Sequence, residues 1–416
     1  MIKKKLLMVC LLIAAIVFSS FKKDKTYKIT DFGAKGDGQT LNTASIQEAI
    51  DKCSAEGGGT LIIPEGVFLS GSIFLKQGVS MLLEEGAVLK GSLNQEDYPQ
   101  INTRWEGEEK KWTACLVNAI DLSNFKISGK GTIDGSGDAW TARGRSAQQS
   151  PGPRYGRPRL IGLQNCKNAV VEHIKLNNQA SWGLFVLYSR NVKIKGLTIR
   201  AAHNIPSSDG IDIDSSKDIL ITGCDIDVND DCISIKSGKD EDGLRVNRPC
   251  EDVLIEKCRF GYGHGGVAMG SETSGGIRNI TVRNCVFEAG NWAPIRFKSQ
   301  PSRGGVVENI TYKNLIIRDT RQAFEFNMAW RMVNPKPPAK VLPIVRNVRI
   351  INVRGTARTV GTMKGLEQSP IDGVKFKNCE ITAQRGFSME HATNVDLSGL
   401  KILGVTGEAI MKTNVR

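Results

Sequence analysis

Asn191-Val192-Lys193-Ile194-Lys195-Gly196-Leu197-Thr198-Ile199 is one copy of a phrase that runs through most of the chain. Its form is Asn, apolar, any, apolar, any, Asn or Gly, Cys or Leu, any, apolar. Further copies begin at Asn168, Asp218, Asp252, Asn279, Asn309, Asn347 and Asn394, with an earlier one at Asn124 and a weaker one at Gly373. From 168 onward the starts are spaced by 23, 27, 34, 27, 30, 38, 26 and 21 residues. That period is shorter than the roughly 40 residues of a propeller blade, and the phrase lacks helical spacing, which excludes the helical repeats and leucine-rich horseshoes. One repeat therefore reads as one turn of a parallel β-helix, each strand stacking on its counterpart about 4.8 Å away. Alternate apolar residues point inward and stack, while Asn and Gly take the tight corners. Unequal intervals mean loops of different length on a constant core.

Outward from the repeat, the same strand pattern reaches back to Leu61-Ile62-Ile63, Val67-Phe68-Leu69, Ile73-Phe74-Leu75, Met81-Leu82-Leu83 and Ala87-Val88-Leu89. Ahead of it, residues 42–53 place Ile46, Ala49, Ile50 and Cys53 on one helical face, with Asn42 or Thr43 as N-cap and Gly57-Gly58-Gly59 as the stop. This helix reads as a lid on the open end of the sheet, which otherwise exposes an aggregation-prone edge. No second helix is expected. Lys3-Lys4-Lys5, an apolar run over 6–18 and Ser19-Ser20 match a secretory signal, too short to span a bilayer. The expected organisation is a signal at 1–20 and one β-helix domain over 21–416, exported to the periplasm or beyond, with no stable membrane insertion once the signal is cleaved.

The formal charge of +13 falls to +10 without the signal, which carries three lysines and no acid. A basic surface suits a polyanion, or it simply coats exposed turns. Nucleic acid is disfavoured as a partner because no basic run is interleaved with aromatics. Ten cysteines are present, and Cys166, Cys224, Cys258, Cys285 and Cys379 share one position of the repeat, so they read as small core residues rather than a disulfide framework. No CxxC or HxxxH spacing occurs, and neither metal nor cofactor is expected.

Chemistry concentrates between 203 and 298. Asp209 and Asp230 are 21 residues apart, about one turn of the coil, which puts them on adjacent rungs with Asp231 beside them. Glycoside hydrolysis requires two carboxyls, about 5 Å apart for retention and about 6.5–9.5 Å for inversion. Crowded carboxylates also raise each other's proton affinity, so one can serve as acid. An isolated Asp here would sooner cap a turn, as expected for Asp218 and Asp252, but an adjacent pair needs partners or a purpose. His264 lies in Gly263-His264-Gly265-Gly266, where glycine lets backbone approach a ligand and exposes the ring. A lone histidine is more often structural; its place near the Asp231 rung favours a functional one. Arg296 and Lys298 alternate across Phe297, so on a strand they share a face and suit a substrate carboxylate; a solvated strand face is the plainer reading. Arginine-rich 141–158 and charged 237–245 supply long loops of the kind that line a solenoid's binding face.

Asp209-Gly210-Ile211-Asp212, Asp230-Asp231-Cys232-Ile233, Gly263-His264-Gly265 and Arg296-Phe297-Lys298, in that order, resemble the four motifs of the family 28 glycoside hydrolases, the polygalacturonases. Asp31-Phe32-Gly33-Ala34-Lys35-Gly36-Asp37-Gly38 resembles the start of pectin-acting β-helix proteins. The resemblance implies a right-handed parallel β-helix and hydrolysis with inversion at galacturonic acid linkages. It implies Asp230 as general acid, Asp209 and Asp231 as activators of water, His264 as a group that tunes the acid or holds substrate, and Arg296 and Lys298 as ligands of a galacturonate carboxylate. Ser207-Ser208 stands where the family carries Asn-Thr, and Trp330 is the substitute for a tyrosine expected after the Arg/Lys motif. The insertion between Asp231 and His264 resembles bacterial exo-acting members.

The expected activity is hydrolysis of an acidic plant polysaccharide, pectin or galacturonan, from chain ends. A rhamnogalacturonan-directed hydrolase of the same family, a pectate lyase and a non-catalytic glycan-binding β-helix are the alternatives.

Overall fold

A computed structural model describes residues 25–147, 156–331 and 336–416, with side chains omitted for 143–147. The chain coils into a parallel β-helix: nearly every strand pairs in parallel with the strand one turn later, forming one continuous 31-stranded network. Inward Ile, Val and Leu stack rung on rung. Ile127, Val171, Ile194, Ile221, Ile255, Val282, Tyr312 and Ile350 all lie in the buried core. The repeated Asn or Asp sits at a corner with left-handed backbone, φ between 52° and 59° at 191, 218, 252, 279, 309 and 347. Asn and Asp tolerate that conformation, and their side chains bond to their counterparts one turn away: Asn191 Nδ2 donates to Asn168 Oδ1 at 2.7 Å, Asn279 Nδ2 to Asp252 Oδ1 at 3.0 Å. All nine cysteines among the described residues are buried and unpaired.

Helix α1 (Thr43–Ala55) closes the N-terminal end, burying Ile46, Ala49, Ile50 and Cys53. Asn42 precedes it but makes no capping bond; its amide instead joins Lys35, Thr40 and Leu69 of the neighbouring turns. The expectation of a single helix is corrected by α2 (Gly137–Ala147) and α3 (Asp240–Val246). Both are excursions between rungs: among the described side chains α2 sends only Trp140 into the apolar core and α3 none, so neither needs a long apolar stripe.

One further element departs from the coil. Strands β1 (Gln100–Trp105) and β2 (Glu108–Thr113) form an antiparallel hairpin. It is fastened to the coil by the fully buried Arg104, whose Nη1 donates to Asp214 Oδ1 at 2.7 Å and Ser215 Oγ at 2.8 Å. Trp105 stacks between Trp112 and Trp182, with ring centroids 4.7 Å apart on each side. Backbone N–H of Lys239, which precedes α3, donates to Gly107 O in the hairpin turn.

Candidate active site

The site lies on one face of the coil, over β3 (Leu184–Leu187), β4 (Ile211–Asp214), β5 (Ile233–Lys236), β6 (Val267–Gly270), β7 (Ile295–Lys298) and β8 (Val306–Asn327). Their register sets which side chains meet. Ile211, Ile233, Val267 and Ile295 stack inward, while Asp212, Ser234, Ala268, Arg296 and Glu325 form one outward row and Asp214, Lys236, Gly270, Lys298 and Asn327 the next. The expected alternation across Phe297 holds: Phe297 stacks on Phe326 in the core while the flanking cations face outward.

Asp209, Asp231 and Gly265 occupy equivalent positions, each two residues ahead of its strand, and backbone bonds fix the stack: Gly210 N donates to Asp231 O at 3.0 Å and Cys232 N to Gly265 O at 2.7 Å. Asp209, Asp230 and Asp231 thereby bring carboxylate oxygens within 4.8 Å of one another. Gly265 has a specific reason to be glycine: a Cβ there would stand 2.5 Å from Asp231 Oδ1 and 3.1 Å from Arg296 Cδ. At Gly263 a Cβ would meet Cys232 Sγ at 2.7 Å. The glycines beside His264 thus make room for the carboxylate rung beneath, which is a different service from approach to a ligand.

The three aspartates differ sharply. Asp231 is fully buried, and both its oxygens are taken: Arg296 Nη1 donates to Oδ1 at 3.1 Å and Lys298 Nζ to Oδ2. Its own N–H donates to Asp230 Oδ1 at 2.9 Å. Arg296 also pairs with Glu325, Nε to Oε2 2.7 Å. Asp209 is buried, and burial together with the negative charges of Asp212 and Asp230 pushes its carboxyl well above the usual range. Burial acts on Asp230 as well, but His264 and Lys298 outweigh it and hold that carboxyl below its usual range. His264 Nδ1 stands 3.6 Å from Asp230 Oδ1, an ion-pair rather than hydrogen-bond separation, with the ring half exposed. The surroundings of the two carboxyls thus push their proton affinities apart, Asp209 upward and Asp230 downward. An ion held by these three carboxylates would compete with Arg296 and Lys298 for Asp231.

A cavity of about 320 Å³ opens over this cluster, lined by Asp209, Asp230, His264, Arg296, Lys298 and Trp330. All the residues singled out from sequence thus converge on one place, Asp231 lying just beneath the lining. Trp330 packs against both cations, its ring centroid 4.9 Å from Arg296 Cζ and 5.7 Å from Lys298 Nζ. The cavity also takes in Ser207, from the Ser-Ser pair noted in the sequence, and Glu106, Trp182, Lys236, Ser271, Glu272 and Arg331, which sequence reading did not single out. Lys236 is buried, 3.5 Å from Asp212 Oδ1, 3.2 Å from Glu272 Oε2 and 4.9 Å from the Trp182 ring centroid. Burial pushes Asp212 up to about 7 against the pull of Lys236. Glu272 is held at about 2: burial opposes its ionisation, and Lys236 and Arg303 prevail. The alternation that exposed Arg296 and Lys298 also runs through Ile233-Ser234-Ile235-Lys236, and it would have found Lys236.

Residues 53–405 match the model of glycosyl hydrolases family 28. The chain belongs to that family. It is a glycoside hydrolase. Its sequence is 31% identical over 392 residues to a probable polygalacturonase of Vitis vinifera, covering 91% of this chain and 78% of the relative. It is 30% identical to an exo-poly-alpha-D-galacturonosidase of Dickeya chrysanthemi, covering 71% of this chain and 55% of that longer protein. Among solved structures, the exopolygalacturonase of Thermotoga maritima superposes with a TM-score of 0.80 at 30% identity, covering 92% of both chains. A family 28 exopolygalacturonase of Yersinia enterocolitica shares the fold, with a TM-score of 0.85 at 24% identity over 94% of this chain and 78% of that one.

Proposed function

We propose that the protein hydrolyses the α-galacturonosidic linkages of polygalacturonate from chain ends, by general acid/base catalysis, after export to the periplasm or the medium. One observation carries the substrate class: two cations and a tryptophan share a cavity with the carboxylate cluster. A sugar bearing a carboxylate can meet the cations while its anomeric carbon meets the aspartates, an arrangement that neutral rhamnose would not exploit. The family's relatives named for galacturonides support the same reading. Action at chain ends is supported by the hairpin, whose turn residue Glu106 helps wall the cavity.

Asp230 is the proposed acid and Asp209 the proposed base, although their surroundings push the two carboxyls the other way, Asp209 up and Asp230 down. The substrate reconciles the two. Its carboxylate, placed beside Lys298, would offset the Lys298 part of the field that, with His264, holds Asp230 down, favouring transfer of the proton to Asp230 and freeing Asp209 to activate water. Asp231, with both oxygens engaged, then anchors Arg296 and Lys298 rather than acting as a base.

Inversion is the proposed outcome. One observation favours a second reading: oxygens within 4.8 Å of each other are close for a water between acid and base and nearer the spacing of a retaining pair. The anomeric configuration of the first-formed product, read by proton NMR, separates the two. The activity itself is tested by incubating the protein with polygalacturonate and resolving products over time while recording ultraviolet absorbance. Saturated monogalacturonate or a short saturated product from the earliest times supports the reading. A ladder of saturated oligomers overturns chain-end action, and ultraviolet-absorbing products overturn hydrolysis.

A further inference from the structure

Glu106 is the one acidic group that the hairpin brings to the cavity, and its surroundings are unlike those of the other acids there. Asp209, Asp230 and Glu272 rise from the coil, whereas Glu106 occupies a two-residue turn with φ 46° followed by Gly107 with φ 81°. Two successive left-handed residues make the tight turn that suits the twist of paired strands. Gly107 is required there twice over, since a Cβ would lie 2.7 Å from Glu272 Cγ and 2.8 Å from Lys239 N. The turn is therefore pinned from below, by Arg104 on Asp214, and from the side, by Lys239 N on Gly107 O. A rigid hairpin holds Glu106 in place while its side chain remains 43% exposed, 3.9 Å from Lys239 Nζ at the nearest.

A carboxylate at that wall is an odd choice for a site that takes an acidic sugar, because it repels the substrate's own carboxylate. It would set orientation instead: a sugar entering with its acid group toward Arg296 and Lys298 would present a hydroxyl edge to the hairpin. An ionised carboxylate only accepts hydrogen bonds. In an internal residue of a 1,4-linked galacturonan the 4-oxygen is a glycosidic ether with no proton to give. At the non-reducing end it is a free hydroxyl.

We propose that Glu106 reads the chain end, accepting a hydrogen bond from the free 4-hydroxyl of the non-reducing terminal sugar in this cavity. The proposal rests on the chain-end galacturonide hydrolysis set out above. It makes Glu106 a specificity-determining residue, distinct from the groups that handle the proton.

The test uses trigalacturonate in two forms, one with an ordinary non-reducing end and one whose non-reducing sugar is 4,5-unsaturated and so lacks the 4-hydroxyl. The readout is the ratio of kcat/KM for the two, measured for the wild type, Glu106→Gln and Glu106→Ala, with circular dichroism and Tm as folding controls. A hydrogen bond to a charged group is worth about 1.5–3 kcal/mol, so the wild type should prefer the saturated end by about 10- to 100-fold. The ratio should collapse toward one in Glu106→Ala and stay intermediate in Glu106→Gln, whose amide oxygen still accepts. A wild-type ratio near one overturns the proposal. So does a preference that persists in Glu106→Ala, because the flattened unsaturated ring would then be rejected by shape. Reducing the opposite end to an alditol should leave the ratios unchanged, and a Glu106-dependent response there assigns the residue to the other end. Failure of the underlying reading is visible separately, as a ladder of oligomers from the polymer in the wild type.

Discussion

Two corners of the same coil carry aspartate, and they put it to opposite uses. At the repeat corner, Asp218 and Asp252 adopt φ 58° and 57°, stand partly in solvent, and pair with Arg190 and Lys217. Partial burial works against Asp252, but the Asn279 amide and Lys217 hold its carboxyl below the usual range. One face away, Asp209 is buried beside other acids and is driven well above that range. The backbone differs, since Asp218 and Asp252 are left-handed and Asp209 is not. The company differs more: water, amides and surface cations at one corner, and at the other a buried row in which carboxylates and cations are stacked by the strand register. What the adjacent rungs place beside an aspartate thus goes far to set its proton affinity.

The largest effect expected from this contrast comes from exchanging one aspartate at each corner. Asp230→Asn should lower kcat on galacturonan by about 10²- to 10⁴-fold, the usual worth of a general acid. Asp252→Asn keeps the ladder's shape and should leave kcat unchanged, with stability altered by less than about 1 kcal/mol. Comparable losses in both variants would erase the distinction between the corners.

A smaller effect concerns the buried cations. Glu272 is held at about 2 in the folded protein against an ordinary value of 4.5. A depressed carboxylate contributes stability above its unfolded value and loses it as pH falls toward the folded one, so this pair is at full strength above about pH 5 and fades below it. Over that window the linkage amounts to about 3 kcal/mol. Urea denaturation at pH 6 and pH 3 should show Glu272→Gln losing less stability on acidification than the wild type. Parallel losses would mean that the Lys236–Glu272 pair does not carry the charge energetics assigned to it.

The smallest effect sharpens the placement of the proton. Asp212 raises the proton affinity of Asp209, second only to burial. Asp212→Asn should therefore move the basic limb of the kcat/KM profile to lower pH, with the acidic limb nearly unmoved. A shift in the opposite direction, or none, would detach that limb from Asp209.

The coil was legible because its signal is periodic: the Asn, apolar, any, apolar phrase recurs with the corner asparagine whose left-handed backbone the structure displays at 191, 279, 309 and 347. The clustered aspartates proposed to carry the chemistry were legible because 21 residues is one turn. What escaped were groups whose meaning lies between rungs. Lys236 looks like the end of an apolar strand until Glu272, from the following turn, is set 3.2 Å away. Asp231 looked like a second base, and only the fold shows both its oxygens spent on Arg296 and Lys298. The hairpin was hidden by composition, since Glu108-Glu109-Lys110-Lys111 has no apolar alternation to announce a strand. Helix α3 had a weak signal in Asp240-Glu241-Asp242 at its start and Arg245 in its last turn, charges that favour helix ends without any apolar face.

In the proposed mechanism the substrate's own carboxylate, by weakening the cationic field around Asp231, shifts the proton from Asp209 to Asp230. Comparing saturating kcat for trigalacturonate with that for the same trimer with its carboxylates methyl-esterified separates this from simple binding. Loss of the charge is expected to depress kcat itself as well as raise KM, because the ester cannot cancel the field at Asp230. An ester that binds more weakly yet turns over with the same kcat would contradict the proton shift, leaving Arg296 and Lys298 as binding groups alone.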